Sequence, residues 1–160
     1  MNTHMIMGDI HTFSLRLADR SALMGLDLGE KTIGMAISDD RRKIASALNT
    51  IRRTRFTQDA EFLLNIAVEY SVGGFILGLP LNMNGTEGPR CQSVRQFASN
   101  LSEKTDIPMA FWDERLSTRA AERHLIARDV SRKRRAKVID KLAAQFILQG
   151  ALDFMRNIKH

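Results

Sequence analysis

Four acidic residues lie at three widely separated positions where the neighbouring residues are apolar. Asp27 ends the stretch ALMGLD, Asp113 and Glu114 follow PMAFW, and Asp140 lies within VIDKLAAQFILQGAL. A carboxylate in such surroundings needs a partner, because taking an unpaired charge out of water is costly. Carboxylates that converge without histidine or cysteine favour Mg²⁺ or Mn²⁺ over zinc. Ions of this kind activate water and stabilise a leaving oxygen in phosphodiester cleavage.

Each acid also has an explanation that involves no ligand. Asp27 suits a tight turn, the 113–114 pair suits an ion pair with Arg115 or a helix cap, and Asp140 suits the N-terminal end of a helix. Taken together, these explanations require three independent coincidences at the ends of strands and helices. The sequence therefore favours a shared metal site with Asp27, Glu114 and Asp140 as ligands and Asp113 beside them.

Size and composition predict one domain of ordinary globular type. The chain has 160 residues, of which 44% are hydrophobic, enough for a single core and too few for two domains of usual size. We expect residues 1–22 to form a tail or an extra strand and residues 23–156 to form the domain. The one cysteine, Cys91, excludes an internal disulfide, and no apolar run approaches the roughly 18 residues of a membrane span. A cytoplasmic location without membrane contact is expected.

The net charge of +6 is concentrated in the segment RDVSRKRRAK at residues 128–137. This basic cluster suits contact with a phosphate backbone, because it raises the local concentration of anions. A solvated loop rich in arginine is an equally good explanation for the segment by itself. The cationic residues expected to bind nucleic acid here are Arg132, Lys133, Arg134 and Arg135.

Two loops that contain glycine offer further contacts for phosphate. In DLGEKTIG, Lys31 and Thr32 can reach an oxyanion that approaches the backbone. In GLPLNMNGTEG, Asn82 and neighbouring amides can hold a sugar-phosphate strand, although the same residues suit a purely structural loop.

Hydrophobic periodicity predicts five strands and four helices. The strands are expected at residues 22–27, 32–37, 44–51, 74–79 and 109–112, and the helices at 56–70, 90–104, 117–128 and 136–155, with the basic segment as a linker. Three consecutive strands followed by alternating strands and helices predict an α/β fold with a mixed five-stranded sheet, antiparallel first and then parallel. Asp27 and the 113–114 pair would meet at one sheet edge if the first and last strands are neighbours.

Four motifs carry a resemblance to a known family. The stretches GLDLGEKTIGMAISD, GLPLNMNGTEGP, WDERLST and VIDKLAAQFILQGALD, in this order, resemble the YqgF/RuvX family of Holliday junction resolvases and pre-16S rRNA nucleases. The resemblance implies a ribonuclease H-like fold and a bacterial nuclease that uses Mg²⁺ or Mn²⁺. It matches Asp27 to the acid of the first strand, Glu114 and Asp113 to the DER motif, and Asp140 to the acid of the last helix.

The resemblance leaves the substrate open between RNA and DNA. Its favoured implication is 5′-end maturation of pre-16S rRNA in ribosome biogenesis, with Lys31, Arg115 and the basic cluster holding phosphates. One alternative is a Holliday junction resolvase acting on branched DNA, and another is a non-catalytic RNA-binding assembly factor. An actin-like ATPase is disfavoured, because that architecture needs two such domains. The protein is expected to act as a monomer or a homodimer.

Overall fold

A computed structural model describes residues 6–158, including every side chain in that range except those of residues 118–124, 136, 137 and 140. The strands are β1 (Ile6–Met7), β2 (Ala22–Leu28), β3 (Thr32–Ser38), β4 (Ala45–Arg52), β5 (Val72–Leu79) and β6 (Met109–Asp113). The helices are α1 (Ile10–Leu15), α2 (Phe56–Glu69), α3 (Pro89–Ser102), α4 (Glu114–Ala127) and α5 (Arg132–Arg156). Among these described residues, no helix is both long and apolar enough to cross a membrane.

One mixed sheet organises the fold, in the order β1-β6-β5-β2-β3-β4. Strands β2, β3 and β4 are antiparallel, whereas β5 pairs in parallel with β2 and β6 in parallel with β5. The predicted α/β class and the change from antiparallel to parallel pairing are confirmed. The sheet has six strands where the hydrophobic pattern predicted five: Ile6 and Met7, in the segment expected to form a tail or an extra strand, pair in parallel with β6. A strand of two residues is too short to give a readable hydrophobic period.

Each face of the sheet has its own buried core. On one face, Leu26 belongs to a cluster with Leu63 of α2 and Phe97 of α3. On the other face, Leu23 belongs to a cluster with Leu148 of α5. Because successive residues of a strand point to opposite faces, the sequence of β2 decides which of its side chains meet which helices.

Asp27 lies on the face of β2 that carries α5. It shares this face with Leu23 and Gly25, which precede it by four and two residues. At Gly25 a Cβ atom would lie 2.8 Å from the Cβ of Leu148, so the absence of a side chain lets α5 approach the strand closely. The close helix and the strand together form the walls around Asp27.

The last two helices begin earlier than the sequence predicts. Helix α4 starts at Glu114, directly after β6, and not near Ser117. Helix α5 starts at Arg132, where the hydroxyl of Ser131 accepts a hydrogen bond from the backbone N–H of Arg134. The segment predicted as a basic linker therefore supplies the first turn of α5. The cap was missed because the apolar pattern begins only further along the helix.

Candidate active site

Asp27 and Glu114 are the two described acids that meet. Asp27 is the penultimate residue of β2, and Glu114 is the first residue of α4. Their carboxyl groups are in hydrogen-bonding contact. The assumption that their strands are neighbours is wrong, because β5 lies between β2 and β6. The two side chains thus meet above an intervening strand.

Gly78 of β5 explains how two acids can meet across this strand. A Cβ atom at position 78 would lie 2.6 Å from Oε1 and 2.8 Å from Cγ of Glu114, and 2.5 Å from Cδ1 of Ile147. The missing side chain therefore leaves the space that Glu114 occupies. We did not identify Gly78 from sequence, although a glycine inside a buried strand is a signal of close approach by another group.

The environment of Glu114 disfavours its charged form. Burial, followed by the negative charge of Asp27 and their mutual hydrogen bond, raises the pKa of Glu114 from 4.5 to about 7, while the positive charge of Arg90 opposes this rise. Without a cation, the pair therefore tends to keep a proton near neutral pH. A divalent cation would replace that proton and remove the repulsion, so the two carboxylates suit Mg²⁺ or Mn²⁺.

The third predicted ligand, Asp140, lies in α5, and its side chain is outside the described part of the structure. Among the described side chains, no group of three or more His, Cys, Asp or Glu residues could hold a metal ion. The helix around position 140 does border the acids: Ile139 lines the cavity that holds Asp27 and Glu114, and Lys141 lines the cavity on the other side of Asp27. Asp140 therefore remains a predicted ligand.

Asp113 faces Arg115, whereas Glu114 faces Asp27. The Arg115 guanidinium donates to both carboxylate oxygens of Asp113, with a shortest distance of 2.7 Å, and also donates to the carbonyl of Met83 at 3.1 Å. Three of its five N–H groups are used in this way. Arg115 therefore ties the 80–88 loop to the end of β6, beside the Asp27–Glu114 pair.

Three adjoining cavities, together called the groove, lie along the two acids. The first, of about 480 Å³, lies between the 80–88 loop and the start of α4, and shares Arg90 and Glu114 with the second, of about 210 Å³. The second shares Asp27 with the third, of about 220 Å³, which lies between β4 and α5. A flexible strand laid along this groove would pass both carboxylates.

The remaining predicted contact residues are distributed around this groove. Asn82 lines the first cavity and Thr32 lines the third, while Lys31 is exposed in the turn before β3. Arg90 was missed by sequence reasoning, although it lines both cavities that contain Glu114. Four residues of the basic cluster begin α5, and three of them are exposed: Arg132, Lys133, Arg134 and the half-buried Arg135 follow one another.

The raised pKa of Glu114 predicts an unusual dependence of stability on pH. In EDTA, the free energy of unfolding should fall as the pH rises from about 4.5 to about 7, because folding then opposes ionisation of this carboxyl group. The loss should reach about 3 to 4 kcal/mol, since one pKa unit corresponds to about 1.4 kcal/mol.

Urea unfolding of the wild type and of Glu114→Gln at several pH values would measure this effect. The variant keeps the shape of the side chain and loses its titration, so its stability should not show this decrease. An identical decrease in both proteins would contradict the assignment to Glu114.

The described fold is similar to that of a known nucleic-acid enzyme. RuvC from T. thermophilus, solved in complex with a Holliday junction substrate, matches with a TM-score of 0.54 at 10% identity, over 86% of this chain and 96% of that chain. A second structure of T. thermophilus RuvC gives a TM-score of 0.53 at 11% identity, over 84% and 96% of the two chains. At such low identity the likeness concerns the fold, and it confirms the predicted ribonuclease H-like architecture.

The fold defines a protein of the ribonuclease H-like class. The model of the RuvX family, described as Holliday junction resolvase, matches residues 21–154. The chain belongs to this family, as its motifs predicted.

Relatives over most of the chain agree with this assignment. A protein from Ruegeria sp. (strain TM1040) is 57% identical over 155 residues, covering 97% of this chain and 99% of the relative. A protein from Rhodopseudomonas palustris (strain TIE-1) is 64% identical over 134 residues, covering 84% of each. Both carry the name "Putative pre-16S rRNA nuclease". The predicted enzyme class, a hydrolase of the nuclease type, is confirmed.

Proposed function

We propose that this protein is a Mg²⁺- or Mn²⁺-dependent endonuclease that hydrolyses phosphodiester bonds of pre-16S rRNA during maturation of its 5′ end. The observation that carries the proposal is the contact between the Asp27 and Glu114 carboxyl groups, where three adjoining cavities share these residues as lining. The choice of RNA rests on the names of relatives that are 57% and 64% identical.

Asp27, Glu114 and Asp140 would hold the cation, and Asp113 would act indirectly through its ion pair with Arg115. When bound, the cation supplies positive charge that stabilises the developing charge of phosphodiester hydrolysis. The chain's own contribution is to bring the two described acids together above Gly78 and to border them with α5. Lys31, Thr32 and Asn82 lie where they can orient the strand on either side of the acids.

The basic cluster at the start of α5 supports binding to a phosphate backbone. Cations at a helix N-terminus are unfavourable, because they face the positive end of the helix dipole. Here the first four residues of α5 are all cationic, and the first turn contains no acid. Such an arrangement costs stability, and contact with phosphates would offset that cost.

Replacing Arg132 and Lys133 with Gln should weaken binding of RNA and lower its dependence on salt. If both residues contact phosphates, the slope of log K against log [salt] should fall by about 1.4 to 1.8, since each contact contributes about 0.7 to 0.9. The matched control is Arg41→Gln with Lys43→Gln, which removes the same charge from the opposite end of the sheet, between β3 and β4. Equal slopes in the two double variants would contradict a specific role for the cluster.

A direct comparison of substrates separates the proposed function from its alternatives. The wild type would be tested with a 5′-extended 16S precursor and with a four-way DNA junction under identical Mg²⁺ conditions. We expect faster cleavage of the RNA by a monomer or a homodimer, whereas paired cleavage of the junction by a two-fold symmetric dimer would favour the resolvase. Binding of the RNA without cleavage would favour the assembly factor. We place the activity in the cytoplasm, where the buried free thiol of Cys91 would stay reduced.

A further inference from the structure

The largest cavity of the groove lies beside Glu114, and its size and apolar walls distinguish it from the other two cavities. Its volume of about 480 Å³ falls in the range of sites that hold small molecules, roughly 300 to 1,000 Å³. The 80–88 loop and the first residues of α3 line it, together with Glu114 and Arg115. A phosphate contact beside the acids would not need a cavity of this size.

The walls of this cavity are largely apolar. Pro80, Leu81, Met83 and Pro89 all line it. Met83 is 76% exposed, so the core does not account for its apolar side chain. A polarisable thioether adapts well to flat aromatic surfaces.

Hydrogen bonds hold the loop that presents Met83. The backbone N–H of Asn82 donates to the carbonyl of Thr86 at 2.9 Å, and the Thr86 hydroxyl donates to the side-chain oxygen of Asn84 at 2.6 Å. Arg115 donates to the carbonyl of Met83 itself. The cavity wall is therefore organised before any ligand arrives, which lowers the entropic cost of binding.

Positive charge stands next to these apolar walls. Arg90 lines the cavity, and its charge acts on the Glu114 carboxyl group. A guanidinium group can contact a phosphate or stack on the face of a nucleobase. Apolar walls with a cation at the acidic end therefore match a nucleotide, whose base is flat and whose phosphate is anionic.

We infer that this cavity holds one unpaired nucleotide of the substrate strand next to the scissile phosphate, with its base against Met83 and Leu81. The inference rests on the proposed nuclease function and narrows its substrate to a strand that is single-stranded at the cleavage point. A base inside a duplex is stacked and paired, so it cannot enter the cavity without being extruded.

The test measures binding in EDTA, where the proposed metal-dependent cleavage does not proceed. A short single-stranded RNA oligonucleotide from the 5′ region of the 16S precursor would carry one abasic residue, moved through successive positions. Removing the base that occupies the cavity should weaken binding about 5- to 150-fold at one position and have little effect elsewhere. Equal affinity for all abasic strands would overturn the inference.

Met83→Ser supplies the second arm of the test. This change should weaken binding of the intact strand several-fold and have little further effect on the strand that lacks the critical base, because the two changes remove the same contact. Val68→Ser is the matched control, since Val68 is 81% exposed on α2 and does not line the cavity. An equal loss with Met83→Ser on intact and abasic strands would overturn the inference.

The outcomes also separate this inference from the proposed function. The expected binding pattern without cleavage in Mg²⁺ or Mn²⁺ would overturn the nuclease and leave the nucleotide site in place. Metal-dependent cleavage together with identical binding of all abasic strands would overturn the nucleotide site alone.

Discussion

Replacing Asp27 with Asn should abolish cleavage while leaving the fold intact. The substitution keeps the size of the side chain and removes one of the two carboxylates that meet in the groove. Stabilisation of phosphodiester hydrolysis by a bound cation is worth several kcal/mol, and each 1.4 kcal/mol corresponds to a tenfold change in rate. We therefore expect the single-turnover rate to fall by about 10³-fold or more.

Thermal unfolding would show whether this loss comes from the chemistry. Asp27→Asn should unfold at the same temperature as the wild type or above it. The neutral amide removes the electrostatic repulsion between the carboxylates of residues 27 and 114. Asp40→Asn is the matched control, since Asp40 is an exposed acid after β3 and does not line the groove. Unchanged turnover in Asp27→Asn, or an equal loss in Asp40→Asn, would contradict the assignment.

The second large effect is expected at a residue that has no side chain. In Gly78→Ala, the new methyl group would meet Glu114 at 2.6 Å and Ile147 at 2.5 Å, so at least one of them must move. Displacement of a positioned group by about 1 Å can cost about 10²-fold in rate. We expect a loss of about that size in the single-turnover rate, together with lower thermal stability.

Two further variants separate displacement of Glu114 from general disruption of packing. Combining Gly78→Ala with Ile147→Val removes the Cδ1 atom that the new methyl group would meet, so stability should partly recover while activity stays low. In Gly34→Ala, the new methyl group would lie 3.6 Å from the Cβ of Asp27, an ordinary contact, and the loss of activity should be smaller than in Gly78→Ala. Full recovery of activity in the double variant would contradict a positioning role for Gly78.

The sequence predicted the elements well where the hydrophobic pattern was long. The apolar residues of β2, β3 and β5 form strands close to the predicted bounds. Asp27 and Glu114 could be selected from sequence because each lies at the end of an apolar run, where a carboxylate does not contribute to hydrophobic packing. That they meet supports the shared site that the sequence favoured.

The remaining features depend on packing between segments that are distant in sequence. The insertion of β5 between β2 and β6 is a property of the topology, and the local pattern of either strand does not contain it. The importance of Gly78 depends on which side chain occupies the space above it. Arg90 lies in the site because α3 begins beside Glu114. The local sequence of a helix's first turn does not indicate which distant residues it contacts.

The most direct test of the central claim is the metal dependence of RNA cleavage by the wild-type protein. A 5′-extended 16S rRNA precursor would be incubated with the protein in Mg²⁺, in Mn²⁺ and in EDTA, with Glu114→Gln as the inactive comparison. Cleavage with either ion, none in EDTA and none by the variant is the result expected if Asp27 and Glu114 hold the cation. Equal cleavage in EDTA, or full activity of Glu114→Gln, would contradict the claim.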